Sequence, residues 1–132
     1  EFFMRKSFLV SGIILAGLAV ALGAVGAHGL KKVVDEQSVE VFKTGVQYQF
    51  YHALALILTG ILSIHFSSKE INWTGTLFIW GIILFSGSLY AITAFKAMGS
   101  AVPKFIGPVT PVGGLLFIAG WICLLIAVIK RK

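Results

Sequence analysis

A chain of 132 residues has room for one domain, and this one is 58% hydrophobic and only 12% charged, with a mean hydropathy of +0.95. Soluble domains carry about twice that charged fraction, so the composition excludes an ordinary water-soluble globule. The formal charge of +6 does not point to nucleic acid, because the cations stand beside the ends of apolar runs, where Lys and Arg set topology and touch anionic head groups.

Glu1, Phe2 and Phe3 precede Met4 and read as an extraneous remnant outside the fold. Arg5 and Lys6 then introduce an apolar run over 8–27, close to the roughly 20 residues that cross a ~30 Å hydrocarbon core. A basic start followed by an apolar run also describes a cleavable signal peptide. The helical register argues for a retained span: Gly12, Ala16, Ala19, Gly23 and Gly26 share one face, and small-residue faces let backbones approach closely in lipid.

The segment from Leu30 to Lys43 is the most charged in the chain, and its valines recur at intervals compatible with a short interfacial helix between spans one and two. A second span is expected over 47–66. From Gly45 to Ser63, residues Gly45, Tyr48, His52, Ala55, Thr59 and Ser63 fall in one narrow arc at about 100° per residue, while Leu54, Ile57, Leu58 and Ile61 lie mostly outside it. That arc calls for protein neighbours rather than lipid. His65 sits at the far end of this span, and the short polar turn from Ser67 to Glu70 makes spans two and three an antiparallel hairpin.

Span three is expected over 73–95, opening on an interfacial Trp73 and carrying Ser86, Tyr90 and Thr93 on one face. The following stretch holds Gly99, Pro103, Gly107, Pro108 and Pro111 and cannot be regular helix throughout. Thr110 as N-cap with Pro111 in the first turn predicts the start of span four, over 110–129, with Gly113, Gly114 and Gly120 as packing positions. Cys123 lies inside this apolar run and, as the single cysteine, forms neither an intramolecular disulfide nor a CxxC pair.

The fold class is therefore an all-α integral membrane protein, an antiparallel four-transmembrane-helix bundle in a single domain over 1–132. Four spans put both termini on one side. That side carries six Lys and Arg residues (Arg5, Lys6, Lys69, Lys130, Arg131, Lys132) against five opposite (Lys31, Lys32, Lys43, Lys96, Lys104), which predicts cytoplasmic termini in a bacterial cytoplasmic membrane.

Antiparallel packing brings His28, Tyr48, Gln49, Tyr51, His52, Ser86, Tyr90, Thr93 and Thr110 toward one end of the bundle. An ionisable residue inside a membrane is a candidate functional group, so this polar cluster is either a clasp that fixes helix register or a site for a ligand. Two histidines with no nearby Cys and no carboxylate in the spans fall short of the three or four ligands a metal takes. No metal and no cofactor is expected. No Ser-His-Asp grouping, phosphate loop or carboxylate pair can be assembled either, and the reading is non-enzymatic. The expected partners are membrane lipids and a second copy or another membrane protein. The alternative is binding or transport of a lipid head group, small molecule or ion at His28 and His52, near the non-cytoplasmic face.

Four motifs carry a resemblance: GAVGAHGL (Gly23 to Leu30), GVQYQFYHALAL (Gly45 to Leu56), LFSGSLYAIT (Leu84 to Thr93) and IGPVTPVGGLLFIAGW (Ile106 to Trp121). In their order and spacing the chain resembles domain of unknown function family 423, the YwdK/YgdD-like small bacterial inner-membrane proteins, which are also similar to eukaryotic transmembrane protein 256. The resemblance implies a multi-pass membrane protein of about this size; it carries over no assigned enzyme activity, substrate or cofactor.

Overall fold

The computed structural model describes residues 2–131. Long helices dominate them: α1 (Phe2–His28), a 3-10 turn (Leu30–Lys32), α2 (Glu36–Leu62), α3 (Lys69–Gly81), a π-helical turn (Ile82–Ser86), α4 (Gly87–Ala97) and α5 (Val109–Lys130). α1 takes in Phe2 and Phe3, which the sequence reading put outside the fold, because nothing in FFMRKSF interrupts a helix. Glu1 lies outside the described residues.

The charged segment is not a separate interfacial helix. Asp35 caps α2, its Oδ1 accepting the Ser38 amide at 3.1 Å, and from Glu36 the helix continues unbroken into the apolar stretch. Gly45 alone does not break it, since a lone glycine costs a helix only about 1 kcal/mol and the first turns have tertiary support. Val39 and Phe42 are buried, and the Phe42 ring centroid lies 5.2 Å from that of Tyr90. At its other end α2 stops at Leu62, four residues short of the expected boundary, with Ser63 as C-cap. Ser68 then caps α3, which starts at Lys69 and precedes the expected Trp73.

The span expected over 73–95 is helical without a break from Lys69 to Ala97 but carries a π-helical turn at Ile82–Ser86. A π-turn inserts one residue into the helical register and so rotates everything beyond it. Gly99, at φ +70°, ends α4 in the left-handed region open to glycine. α5 begins at Val109 with Pro108 as N-cap and no side-chain capping bond. Thr110 is therefore not the cap; its hydroxyl is used across helices instead.

The helices pack antiparallel. Along α1 and α2, Gly60 faces Leu9, Gly12 faces Ala53 and Ile57, Gly23 faces Val46, and Gly26 faces Phe42. A Cβ on Gly12 would stand 2.7 Å from Ile57 Cγ1 and 2.8 Å from the Ala53 carbonyl, so the two backbones approach as closely as glycine permits. Along α3 and α5, Gly120 faces Phe78, Gly81 faces Phe117, and Gly113 faces the backbone of Phe85. The core comprises Phe8, Ala55, Leu56, Phe78, Ile82 and Phe117. α1 and α5 lie on the flanks, and their outer faces expose Ile13, Ile14, Leu18, Leu115, Ile118 and Leu125.

Among the described residues, three helical segments are long and apolar enough to cross a membrane: 3–32, 69–97 and 109–130. α2 equals α1 in length at 27 residues, but Gln47, Gln49 and His52 lower its apolarity and it does not join them. Its polar arc is nonetheless turned inward. Gly45, His52, Ala55, Thr59 and Ser63 are buried, whereas Leu54, Leu58 and Ile61 are exposed.

Candidate functional site

Hydrogen-bonding side chains on α2, α4 and α5 meet at the end of the bundle where α1 and α4 stop and α2 and α5 start. Gln49 is the hub. Its Nε2 donates to the Leu15 carbonyl on α1 at 2.8 Å, and its Oε1 accepts the Tyr90 hydroxyl at 2.7 Å. One amide thus joins three helices. Ser86, the last residue of the π-turn, donates to the Gly45 carbonyl on α2 at 2.7 Å and is fully buried. Two residues on, Ser88 pairs with the hydroxyl of Thr110 on α5 and also reaches the Phe85 carbonyl at 2.8 Å.

His52 makes a second focus, one turn further in. Its Nδ1 lies 2.9 Å from the Tyr48 carbonyl and its Nε2 accepts the Trp121 indole N–H at 3.0 Å. An indole N–H only donates, so Nε2 is the unprotonated nitrogen and Nδ1 carries the proton toward Tyr48. The ring is neutral and both nitrogens are engaged. Phe117 lies flat on it, with centroids 3.6 Å apart and planes 10° from parallel, while Phe78 meets its edge at 5.2 Å. The imidazole is 5% exposed.

Tyr48, His52, Phe85, Gly114, Phe117 and Trp121 are among the residues lining an open groove of about 570 Å³ between α2 and α5. α5 packs its backbone on α3 and the π-turn, so it reaches α2 in this region through aromatic side chains. The groove faces outward: Tyr48 and Trp121 are partly exposed.

The structure does not gather every residue of the expected cluster. His28 is exposed at the end of α1, away from the contacts of His52. Tyr51 is also exposed, its hydroxyl accepting from Gln47 on its own helix. Thr93 is buried but donates within its helix, to the Leu89 carbonyl at 3.0 Å. Conversely Ser88, Phe78, Phe117 and Trp121 belong to the site and were not singled out from sequence. Trp121 offered one signal: an indole N–H in an apolar run needs an acceptor. The packing positions Gly12, Ala19 and Gly26 on α1 and Gly113 and Gly120 on α5 are buried, while Ala16, Gly23 and Gly114 are half-buried.

An all-helical chain with apolar outer faces, three helices able to span a bilayer and Gln49, His52, Thr59, Ser86 and Ser88 turned inward is a small integral membrane protein. Comparison with known proteins makes this particular. The family model described as "Protein of unknown function (DUF423)" matches residues 22–114, and the chain belongs to that family. It is 42% identical to a UPF0382 membrane protein of Staphylococcus aureus (strain bovine RF122), over 95% of this chain and 97% of the relative. It is 40% identical to the UPF0382 membrane protein YwdK of Bacillus subtilis (strain 168), over 95% of this chain and 98% of the relative. These similarities support a bacterial membrane location. No solved structure matches the chain.

Proposed function

We propose that the protein is a non-enzymatic four-span component of the bacterial cytoplasmic membrane, with both termini cytoplasmic, that acts through its contacts with lipids or with other membrane proteins. The polar residues serve as clasps that hold the helices in register. The observation that carries this reading is the state of His52: both ring nitrogens are hydrogen-bonded and one face is covered by Phe117. A general base needs a free lone pair within reach of substrate, and this one is occupied by Trp121. α2 as the fourth span is supported by its 27-residue length, which reaches about 40 Å, and by an exposed face of Leu54, Leu58 and Ile61.

The test is His52→Ala in detergent-solubilised protein. The expected result is a lower thermal midpoint with no separable binding activity lost. A variant that stays as stable as the parent and loses a specific ligand overturns the reading. A second reading, favoured by the groove of about 570 Å³ beside His52, is a small-molecule or lipid site opening between α2 and α5. Saturable binding of one compound class that Gly114→Phe abolishes, without unfolding the protein, would select it.

A further inference from the structure

At the opposite end of the bundle α2 stops, α3 starts and α5 stops. The connection between α2 and α3 and the last turn of α5 leave a groove of about 470 Å³ whose lining includes His65, Ser67, Ser68, Ala127, Lys130 and Arg131. We propose that this groove binds the phosphate of an anionic phospholipid, with Arg131 as its principal contact.

The charges support an anion. Lys130 is already committed, its Nζ lying 2.6 Å from Glu70 Oε1, and Glu70 is the one carboxylate paired at this groove among the described residues. Arg131 has no carboxylate partner among them; its guanidinium lies 5.6 Å from the centre of the Phe66 ring at the groove edge. A planar guanidinium with two parallel donors matches two oxygens of one phosphate. Antiparallel packing also brings Arg5, Lys6 and Lys69 to this end, so the surroundings are cationic well beyond the groove. α3 starts at its wall and adds the positive end of a helix dipole.

The walls select a lipid over a free anion. Ile64 and Ala127 lie beside the cations, so a phosphate held by Arg131 would continue into apolar surface where a glycerol and the start of an acyl chain fit. The height is right as well, because the groove opens where the apolar helices end, at the head-group level of a bilayer. The proposal rests on the reading of a chain that acts through lipid contacts, and makes one such contact specific.

The test is binding of dioctanoyl-phosphatidylglycerol and dioctanoyl-phosphatidylcholine to the full chain in neutral detergent, followed by thermal stabilisation and native mass spectrometry. The expected result is tighter binding of the phosphatidylglycerol, weakened about fivefold by Arg131→Gln, as for loss of one cation near a membrane surface, and unchanged by Lys104→Gln at the other end. Arg131 is exposed, so the variant is expected to keep the parent's melting temperature. Equal binding of the two lipids overturns the proposal, as does an Arg131→Gln protein that binds like the parent. Inorganic phosphate that displaces the lipid at equal concentration overturns the lipid assignment in favour of a free-anion site. Each failure leaves the His52 experiment standing as a separate test of the clasp.

Discussion

The Trp121 indole N–H points at Nε2 of His52 across 3.0 Å, although 69 residues separate them along the chain. Through this bond α5 is tied to α2 at a place where their backbones do not meet, and the bond also sets the imidazole tautomer. A buried His alone in lipid would be costly; here it is bonded at both nitrogens and stacked on Phe117.

Trp121→Phe keeps an aromatic ring, removes the donor and gives up the second ring of the indole, so the double-mutant cycle below, not the single loss, isolates the bond. The expected cost is about 1 kcal/mol, the scale of one interhelical hydrogen bond in a membrane protein. His52→Ala also removes the ring that Phe117 covers and should cost about 3 kcal/mol. A double-mutant cycle of the two in detergent, followed by thermal unfolding, should return a coupling of about 1 kcal/mol. A coupling of zero would show that the indole and imidazole are neighbours without being partners.

Tyr90→Phe tests the Gln49 hub. The ring still packs on Phe42, but Gln49 Oε1 loses its donor, and an expected loss of about 1 kcal/mol follows from an amide oxygen left without its bond. Gln49→Leu should cost more, because it frees both the Tyr90 hydroxyl and the Leu15 carbonyl. The order of the two melting temperatures checks this.

Gly113→Ala places a methyl against the amide nitrogen and Cα of Phe85. Backbone cannot swing aside as a side-chain tip can, so α5 must move off the π-turn, at an expected cost of about 1–3 kcal/mol or more. Gly87→Ala is the control, since a Cβ there meets nothing within 4 Å. It should be neutral or slightly stabilising, as a helical glycine replaced by alanine gains about 1 kcal/mol in propensity. Melting curves that rank these two the other way would contradict the packing.

Asp35, at the head of α2, has the Ser38 side chain and amide beside it, which hold its carboxyl below the usual carboxylate range. A folded-state value below the unfolded one contributes stability above the unfolded value of 3.8, and that contribution is lost as pH falls through the lower folded value. Asp35→Ala should therefore lower the melting temperature at pH 7, because the N-cap of α2 is lost, and the difference from the parent should shrink in strong acid. A difference that persists unchanged at pH 2 would assign the loss to something other than the charged cap.

The residues of α2 were legible because a period of 3.6 sorts them without knowledge of neighbours. His52, Thr59 and Ser63 had to face protein, and they are buried. The same rule placed Ser86 and Tyr90 toward a partner. It could not name the partner, and it overreached with His28 and Tyr51, which share the end of the bundle but point outward. Being at the same depth is a statement about rise along an axis; being in contact also requires the rotation of each helix.

That rotation is where the π-turn enters. The extra residue at Ile82–Ser86 sets the angle at which Ser86 meets Gly45 and Ser88 meets Thr110 at once, and no local propensity in IILFS announces it. The interfacial helix failed for a related reason. Charge pattern alone suggests a surface helix, but burial of Val39 and Phe42 continues α2 through it.

By itself the amino-acid sequence determined the solvent, the all-helical class and the inward face of α2, since hydropathy and a 3.6-residue period are properties of a single segment. Only the tertiary structure decided that Gln49 joins three helices, that Trp121 and Phe117 close over His52, and that Thr110 bonds across to Ser88 instead of capping α5. Those outcomes depend on the relative rotation and approach of helices distant in the chain, quantities set by which glycines let two backbones touch and which side chains then fill what remains.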